Sequence, residues 1–464
     1  MQQDLTKGSV TGAMLRFALP MILGNLLQQL YNVTDTLIVG QALGANALAA
    51  VGSAYTLMTF LTSILLGLCL GSGAFFSLCF GARDEERLRR GIFASFVLIG
   101  AVSLVLNAAV YAFIDPILRF LRIPSAVYDM MRGYLLVIFA GIVATFLYNF
   151  FASLLRAMGN SAAPLLFLAV SAVLNIALDL LFVLVFHWGV EGAAFATVIA
   201  QFVSGAGLMA YSLLRLPAVR VSRRHMRMDR AVVREISQLS VLTCVQQSVM
   251  NFGVLMVQGL VNSFGPTVMA AFAAAVKIDS FAYMPVQDFG NAFSTFIAQN
   301  YGAGRTERIR RGIRSAVLTA AGFCVAVTVL VFAFARPLML IFVRPEETEI
   351  IATGVQYLRI EGSFYCGIGC LFLLYGLYRA VRRPGMSVVL TVISLGTRVA
   401  LAYALSAIPA VGVVGIWASV PIGWFLADLA GFLYYAKNRE KLTEMCEAAP
   451  ESGGKTLDKR RGRR

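Results

Sequence analysis

Residues 81–92 read GARDEERLRRGI, and residues 302–313 read GAGRTERIRRGI. The two segments agree at eight of their twelve positions although they lie in opposite halves of the chain. Further along the chain the offset between the copies grows by two, so that Tyr134 is matched by Tyr357 and Arg156 by Arg379. Self-similarity over this distance predicts a chain built from two homologous halves.

Long apolar runs flank both copies of this segment. The 464 residues are 59% hydrophobic and 14% charged, with a mean hydropathy of +0.77, whereas soluble domains are roughly 45–50% apolar and about 25% charged. Most runs reach the roughly 20 residues that cross about 30 Å of hydrocarbon. We predict an all-α membrane protein with about twelve transmembrane helices in two pseudo-symmetric six-helix bundles, at 13–38, 46–79, 91–114, 131–155, 163–186, 190–214, 235–262, 269–299, 313–335, 352–378, 385–407 and 412–436.

The halves define the predicted domains. Residues 1–214 form the first lobe, 215–234 a basic linker, 235–436 the second lobe and 437–464 a basic tail that we expect to be disordered. Six spans per half is an even number, so both halves enter the membrane from the same side. Parallel repeats of this kind place a substrate path at their interface, with alternating access by rocking.

The net charge of +15 would favour nucleic acid binding in a soluble protein. Here the basic residues lie between the apolar runs, as the positive-inside rule predicts for cytoplasmic loops. Arginines concentrate on alternate loops, among them Arg87, Arg90, Arg308, Arg311, Arg156, Arg379, Arg382 and Arg383. We therefore expect a multi-pass protein of the plasma (inner) membrane with both termini cytoplasmic, and no nucleic acid partner.

Cysteine and histidine usage argues against a metal centre. The seven cysteines include no CxxC spacing and the chain has two histidines, which disfavours a disulfide framework or a zinc site. We find no nucleophile and base pair and no metal motif. The sequence predicts neither an enzyme nor a cofactor.

Two acids lie inside predicted spans of the first half, Asp35 and Asp179. A carboxylate within hydrocarbon is costly and marks a functional site by default. Counting about 1.5 Å per residue places Asn175, Thr197 and Tyr134 at a similar depth. Two acids so close would repel unless one keeps its proton or a monovalent cation screens both, and oxygen ligands suit such a cation. For Asn175 or Thr197 alone, a hydrogen bond between helices is the simpler explanation.

Other polar or aromatic residues are candidates for gating or substrate contact. Pro20 removes a backbone hydrogen bond and predicts a bend in the first span. Tyr31, Tyr148 and Met256 could line a path or simply fill the core. The second half does not repeat the acid site; its polar candidates are Gln246, Lys277, Asp279, Asp288, Glu361 and Asp428, with Arg398 either paired to Glu361 or Asp428 or contacting substrate.

Several segments resemble the multidrug and toxic compound extrusion (MATE) family. They are PMILGNLLQQLYNVTDTLIVGQALGANALAAVG at 20–52, RAMGNSAAP at 156–164, the stretch 175–197 and QNYGA at 299–303. The resemblance covers nearly all of the chain before about Lys437. It implies a V-shaped, two-lobed exporter that trades sodium ions or protons for organic cations.

The resemblance also assigns residues. In bacterial members the cation site matches Asp35, Asn175, Asp179 and Thr197, and the bending proline of the first helix matches Pro20. Another branch uses a glutamate in the seventh helix and an aspartate in the tenth. This chain has Gln246 and Gln247 in the former region and Glu361 in the latter.

The leading hypothesis is a secondary active antiporter, monomeric and surrounded by lipid, that exports amphipathic small-molecule cations or drugs in exchange for H⁺ or Na⁺. Its substrate or gating candidates are Pro20, Tyr31, Tyr134, Tyr148, Gln246, Met256 and Glu361. The alternative is a flippase of lipid-linked oligosaccharide, whose cavity should offer arginine or lysine to a diphosphate.

Overall fold

The computed structural model describes residues 3–121 and 123–447. Within these ranges the chain forms helices and turns and no strand. The α-helices are α1 (Val10–Leu43), α2 (Ala45–Gly81), α3 (Glu85–Phe120), α4 (Ser125–Ala140), α5 (Ile142–Ala157), α6 (Ala162–Asp179), α7 (Gly189–Arg215), α8 (Arg230–Asn262), α9 (Pro266–Gly302), α10 (Thr306–Leu340), α11 (Thr348–Gly362), α12 (Tyr365–Ala380), α13 (Pro384–Ser406) and α14 (Val413–Glu447). A π-helical turn, Leu180–Val185, continues α6.

In the described part of the chain, ten helices are long and apolar enough to cross a membrane. Two further pairs satisfy the same test together, α4 with α5 and α11 with α12, and are bent by 48° and 52°. Counting each bent pair as one span gives twelve. The prediction of an all-α membrane fold with about twelve spans is confirmed.

The two bends occupy equivalent places in the halves, and a side chain of a neighbouring helix supports each one. A sharp bend frees backbone carbonyls from the helical ladder, and these need other donors. At the first bend the amide of Asn107 donates to the carbonyl oxygen of Phe139. At the second, the Thr328 hydroxyl donates to that of Gly362 at 2.7 Å. The predicted single spans at 131–155 and 352–378 are therefore each two helices.

Each half has its own hydrophobic core, but the first helix of each half begins in the core of the other. Met14 and Phe17 of α1 are buried with residues of the second half such as Phe293. Conversely, Ile236 and Leu239 of α8 are buried with residues of the first half. The two lobes thus exchange the opening turns of their first helices, and α1 and α8 connect them.

The halves meet backbone to backbone where α2 and α9 end. A β-carbon added to Gly81 would lie 1.9 Å from the carbonyl oxygen of Gln299, and one added to Gly302 would lie 2.1 Å from that of Leu78. Gly81 corresponds to Gly302 in the internal repeat, and Leu78 corresponds to Gln299 at the same offset. The two contacts are therefore equivalent, and the pseudo-twofold axis passes between them.

Charged side chains of both halves also meet at this end, which we call the arginine-rich end (loops 82–84, 216–229, 303–305 and 381–383). Glu235 of α8 pairs with Arg87 of α3 and, at 3.2 Å, with Arg382. One carboxylate thus bridges arginines from both halves. Together with the glycine contacts, this ion cluster joins the two lobes at the arginine-rich end.

The segment between α7 and α8 is held against α3. Nε2 of the buried His225 lies 3.1 Å from the Glu86 carboxylate, and Asp229 lies 3.4 Å from Arg90. At the other terminus, α14 continues to Glu447, so helix replaces disorder over the first part of the tail predicted at 437–464. Residues 448–464 lie outside the described residues.

Candidate cation site

Two acidic side chains of the first half meet inside the protein. Asp35 in α1 and Asp179 at the end of α6 are 8% and 0% exposed, and their carboxyl groups lie within hydrogen-bonding distance of each other. The chain leaves Asp179 through the π-helical turn Leu180–Val185, and such turns are frequent at functional sites. The structure thus brings together the two acids that depth counting placed at one level.

Asn175 and Thr197 complete the polar cluster on the α6 and α7 side. The Asn175 side chain lies 3.3 Å from the Thr197 hydroxyl. With the amide turned over, its nitrogen donates to Asp179 Oδ2 at 3.2 Å and its oxygen accepts from the Thr197 backbone N–H at 3.3 Å. We assign this orientation because it satisfies both ends of the amide. Asn175 then connects the acid pair to α7.

Tyrosines surround the acid pair. Tyr31, one turn before Asp35, and Tyr134 of α4 lie within electrostatic range of both carboxyls. Tyr55 of α2 belongs to the same group and was missed by sequence reasoning, although a phenol in an otherwise apolar span was a signal. Two tyrosines thus lie near the acid pair, and a third lies near those two.

The site has unused acceptors. Oδ1 of Asp35 and Oδ1 of Asp179 are buried and have no hydrogen-bond partner among the described residues. An unsatisfied buried acceptor is costly, and a shared proton or a small cation would satisfy both. Carboxylate oxygens are ligands that hard cations prefer. The described residues contain no group of three or more His, Cys, Asp or Glu suited to a metal ion.

The candidates Pro20, Tyr148, Gln246 and Met256 make no hydrogen bond to this cluster in the described part of the chain. Pro20 lies within α1, which is helical from Val10 to Leu43. The Tyr148 hydroxyl is 3.4 Å from the Pro164 carbonyl oxygen, between α5 and α6. In α8, Gln246 is buried and Met256 is 37% exposed.

A second acid pair lies in the other half. Asp279 of α9 and Glu361 of α11 are buried, with carboxyl groups within hydrogen-bonding distance of each other. Tyr365 donates to Asp279 at 2.7 Å and Tyr357 to Glu361 at 2.9 Å. Sequence reasoning named both acids but not their contact, because the sequence does not fix the rotation of each helix about its axis.

The predicted partnership of Arg398 is not a direct hydrogen bond. Nε of Arg398, Oε1 of Glu361 and Oδ1 of Asp428 all lack a hydrogen-bond partner within the described ranges. Arg398 acts on Asp279 and Glu361 as a nearby charge. It therefore contributes positive potential to the second acid pair.

Asp288 of α9 serves the interface between the halves. Its two carboxylate oxygens accept from the Asn25 amide of α1 at 2.7 and 2.6 Å, and it is 4% exposed. The helix that carries Asp35 is thus bonded to the second half ten residues earlier in the chain.

The assignment of Arg156 and Arg379 to basic loops is wrong. Arg156 lies in the last turn of α5 and Arg379 in the last turn of α12. Arg379 is 6% exposed, and both side chains line a cavity between the halves. The positive-inside rule counts charge near span ends, and it does not distinguish a side chain turned to water from one turned to the protein interior.

The fold and these sites describe a multi-pass membrane transporter of two pseudo-symmetric lobes. The model of the MatE family matches the chain twice, at residues 20–181 and 241–404. "Probable multidrug resistance protein YpnP" of Bacillus subtilis (strain 168) is 31% identical, over 95% of this chain and 98% of that protein. The chain belongs to the MATE family.

More distant comparisons agree with this placement. "Multidrug export protein MepA" of Staphylococcus aureus (strain MSSA476) is 22% identical over 94% of this chain and 96% of its own length. A solved structure described as "Outward-facing conformation of a multidrug resistance MATE family transporter of the MOP superfamily" has a TM-score of 0.89 at 23% identity, covering 96% of this chain and 98% of that one. At this identity the structural likeness supports the fold.

Proposed function

We propose that this chain is a monomeric secondary active antiporter that exports amphipathic organic cations or drugs in exchange for H⁺ or Na⁺. The observation that carries the proposal is the contact between the buried carboxyls of Asp35 and Asp179, each with one unsatisfied oxygen. Asn175, which donates to Asp179, and Thr197 are the neutral residues of this proposed coupling site. No cofactor besides the coupling ion is required.

Coupling requires that ion and substrate each bind the two states of the transporter with different affinity. α1 is suited to link them, because it carries Asp35 and also donates from Asn25 to Asp288 of the other half. A change of charge at Asp35 then acts on a helix that bridges the lobes. We place the protein in the plasma (inner) membrane. By the positive-inside rule, its arginine-rich end then faces the cytoplasm.

The test is efflux of a fluorescent cation, ethidium, from proteoliposomes under an imposed pH gradient or an imposed sodium gradient. Asp35→Asn and Asp179→Asn should each lower gradient-driven efflux at least tenfold while the purified protein stays monodisperse. Asp129→Asn is the matched control, because Asp129 is an exposed residue of α4, and it should leave the rate unchanged. Wild-type efflux from both site variants would refute the coupling role.

The second acid pair is the rival coupling site, since Asp279 and Glu361 are also buried and in contact. The same assay applied to Asp279→Asn and Glu361→Gln decides between the pairs. Efflux lost in these two variants and kept in Asp35→Asn would move the coupling site to the second half. The lipid-linked oligosaccharide flippase is not favoured, because the relatives described above carry multidrug names.

A further inference from the structure

A small polar cavity lies between the two halves near the pseudo-twofold axis. Residues of α1, α2, α5, α9 and α12 line it: Met21, Leu70, Gly73, Ala74, Ser153, Arg156, Ala157, Asn291, Ser294, Thr295 and Arg379. Its volume is about 30 Å³, whereas one water needs roughly 10–15 Å³. A cavity of this size can hold a small polar group such as a carboxylate.

Repeat-related residues from both halves meet across the cavity. Arg156 and Arg379 occupy equivalent positions of the internal repeat. On α9 the lining residues Asn291, Ser294 and Thr295 are polar, whereas the equivalent positions on α2 are the apolar Leu70, Gly73 and Ala74. The cavity therefore has one arginine from each half, and α9 supplies more of its polar lining than α2 does.

The positive charge of Arg379 has no acidic partner among the described residues. Its guanidinium donates to Asn291 Oδ1 at 2.9 Å and to Ser294 Oγ at 3.4 Å, which are both neutral acceptors. No ion pair involves Arg379 in the part of the chain that the structure describes. A buried guanidinium is costly unless a charge of opposite sign compensates it, so this environment favours an anion.

Arg156 is also incompletely bonded. Its Nε is buried without a hydrogen-bond partner among the described residues. Asp288 lies within electrostatic range of Arg156, but both Asp288 oxygens accept from Asn25 and Asp288 does not line the cavity. The cavity thus combines two guanidinium groups, one amide and the hydroxyl-bearing residues Ser153, Ser294 and Thr295, with no carboxylate on its described walls.

We infer that this cavity is a binding site for the carboxylate group of an organic anion or zwitterion. A planar guanidinium matches a carboxylate with two parallel hydrogen bonds, and two arginines can hold one carboxylate from opposite lobes. Since each lobe supplies one arginine, any movement of the lobes changes their separation and with it the affinity. The site therefore binds anions most tightly in one state of the transporter.

Calorimetric titration of the full-length protein in maltoside micelles, which contain no phosphate, tests the assignment. The probe is benzoate, with benzyl alcohol as its neutral analogue and inorganic phosphate as a competing anion. We expect saturable binding of benzoate to the wild type and at least tenfold weaker binding to Arg156→Gln and Arg379→Gln. Arg311→Gln, at an arginine whose side chain is 72% exposed, is the matched control and should bind as the wild type does.

Three results would overturn the inference. They are equal benzoate affinity in the wild type and both cavity variants, equal affinity for benzyl alcohol, and tighter binding of phosphate than of benzoate. If Arg379→Gln is not monodisperse on size exclusion, the double variant Arg156→Lys and Arg379→Lys replaces it in the test, because lysine keeps both positive charges. It should bind benzoate, although more weakly than the wild type because lysine lacks the planar fork. Wild-type affinity in Arg156→Gln, or no binding by the lysine variant, would contradict the assignment.

A transport measurement extends the inference to substrates and rests on the proposed antiport. Arg156→Gln should slow the efflux of rhodamine 110, a zwitterionic dye with a free carboxylate, at least fivefold. It should leave efflux of the cationic methyl ester of that dye unchanged. Asp35→Asn should stop both, because it removes the coupling. If Asp35→Asn stops the efflux of both dyes but Arg156→Gln exports the two dyes at equal rates, the anion site is refuted and the antiport stands.

Discussion

Gly81 and Gly302 each press against a backbone carbonyl of the opposite half, Gly81 against Gln299 and Gly302 against Leu78. Because the two contacts are reciprocal, the repeated segments form a twofold-related interface between the halves. A side chain at either position would occupy the space of a carbonyl oxygen. Such close approach of two backbones is possible only with glycine.

Alanine at Gly81 should therefore destabilise the protein. Overfilled contacts cost roughly 1–3 kcal/mol, and here the neighbour is backbone, which cannot rotate away. Gly322→Ala in α10 is the control, because nothing lies within 4 Å of an added β-carbon there; it should be neutral or gain up to about 1 kcal/mol. Thermal unfolding in maltoside measures both, and equal midpoints for the two variants would contradict the described contact.

Glu235→Gln should loosen the arginine-rich end. The Glu235 carboxylate pairs with both Arg87 and Arg382, and the Glu235 side chain is 20% exposed. We therefore expect the variant to lose about 1–2 kcal/mol of unfolding free energy. Its control is Glu307→Gln, whose pair with Arg311 is 66% to 72% exposed and should contribute less than about 0.5 kcal/mol. Thermal unfolding at low and high salt is the measurement; the difference between Glu235→Gln and wild type should shrink in high salt.

Asn25→Ala should leave the Asp288 carboxylate buried without its two hydrogen bonds. The expected cost is about 1–3 kcal/mol. In a double-mutant cycle with Asp288→Ala, the combined loss should be smaller than the sum of the single losses by at least about 0.5 kcal/mol. Strict additivity would show that the two side chains do not interact.

Thr328→Val should weaken the bend between α11 and α12, since valine keeps the shape of threonine but cannot donate to the Gly362 carbonyl. We expect a loss of about 1 kcal/mol. Thr353→Val is the matched control, because the Thr353 hydroxyl bonds the Glu349 carbonyl of its own helix at an exposed position. Thermal unfolding compares the two, and an equal effect at both sites would argue against a special role for Thr328.

The sequence carried enough information to find the first acid pair. Asp35 and Asp179 stand out because charge is expensive in hydrocarbon, and counting the helical rise from the span ends places both at one depth. Depth alone does not fix the rotation of a helix about its axis. For this reason the contact between Asp279 and Glu361 escaped prediction, although both residues had been named.

Hydropathy does not predict two other features, the helix break at Gly141 and the internal position of Arg379. The break at Gly141 interrupts a segment that is apolar on both sides, so one predicted span covers two helices. Arg379 stands close to the exposed Arg382 and Arg383 in sequence and was grouped with them by charge. Its equivalence to Arg156 in the repeat was the clue to a shared environment, and only the packing of α12 against α9 reveals that this environment is internal.

The N-terminal segment of the chain is tied to residues made much later during synthesis. The Leu5 backbone N–H donates to the Gln299 side chain, 294 positions further along, and its carbonyl accepts from Asn300 and Arg308. The segment around Leu5 is therefore synthesised long before its binding partners on α9 and α10 exist. It can reach its final position only after both of these helices have begun to form, so the docking of this segment depends on the later half of the chain.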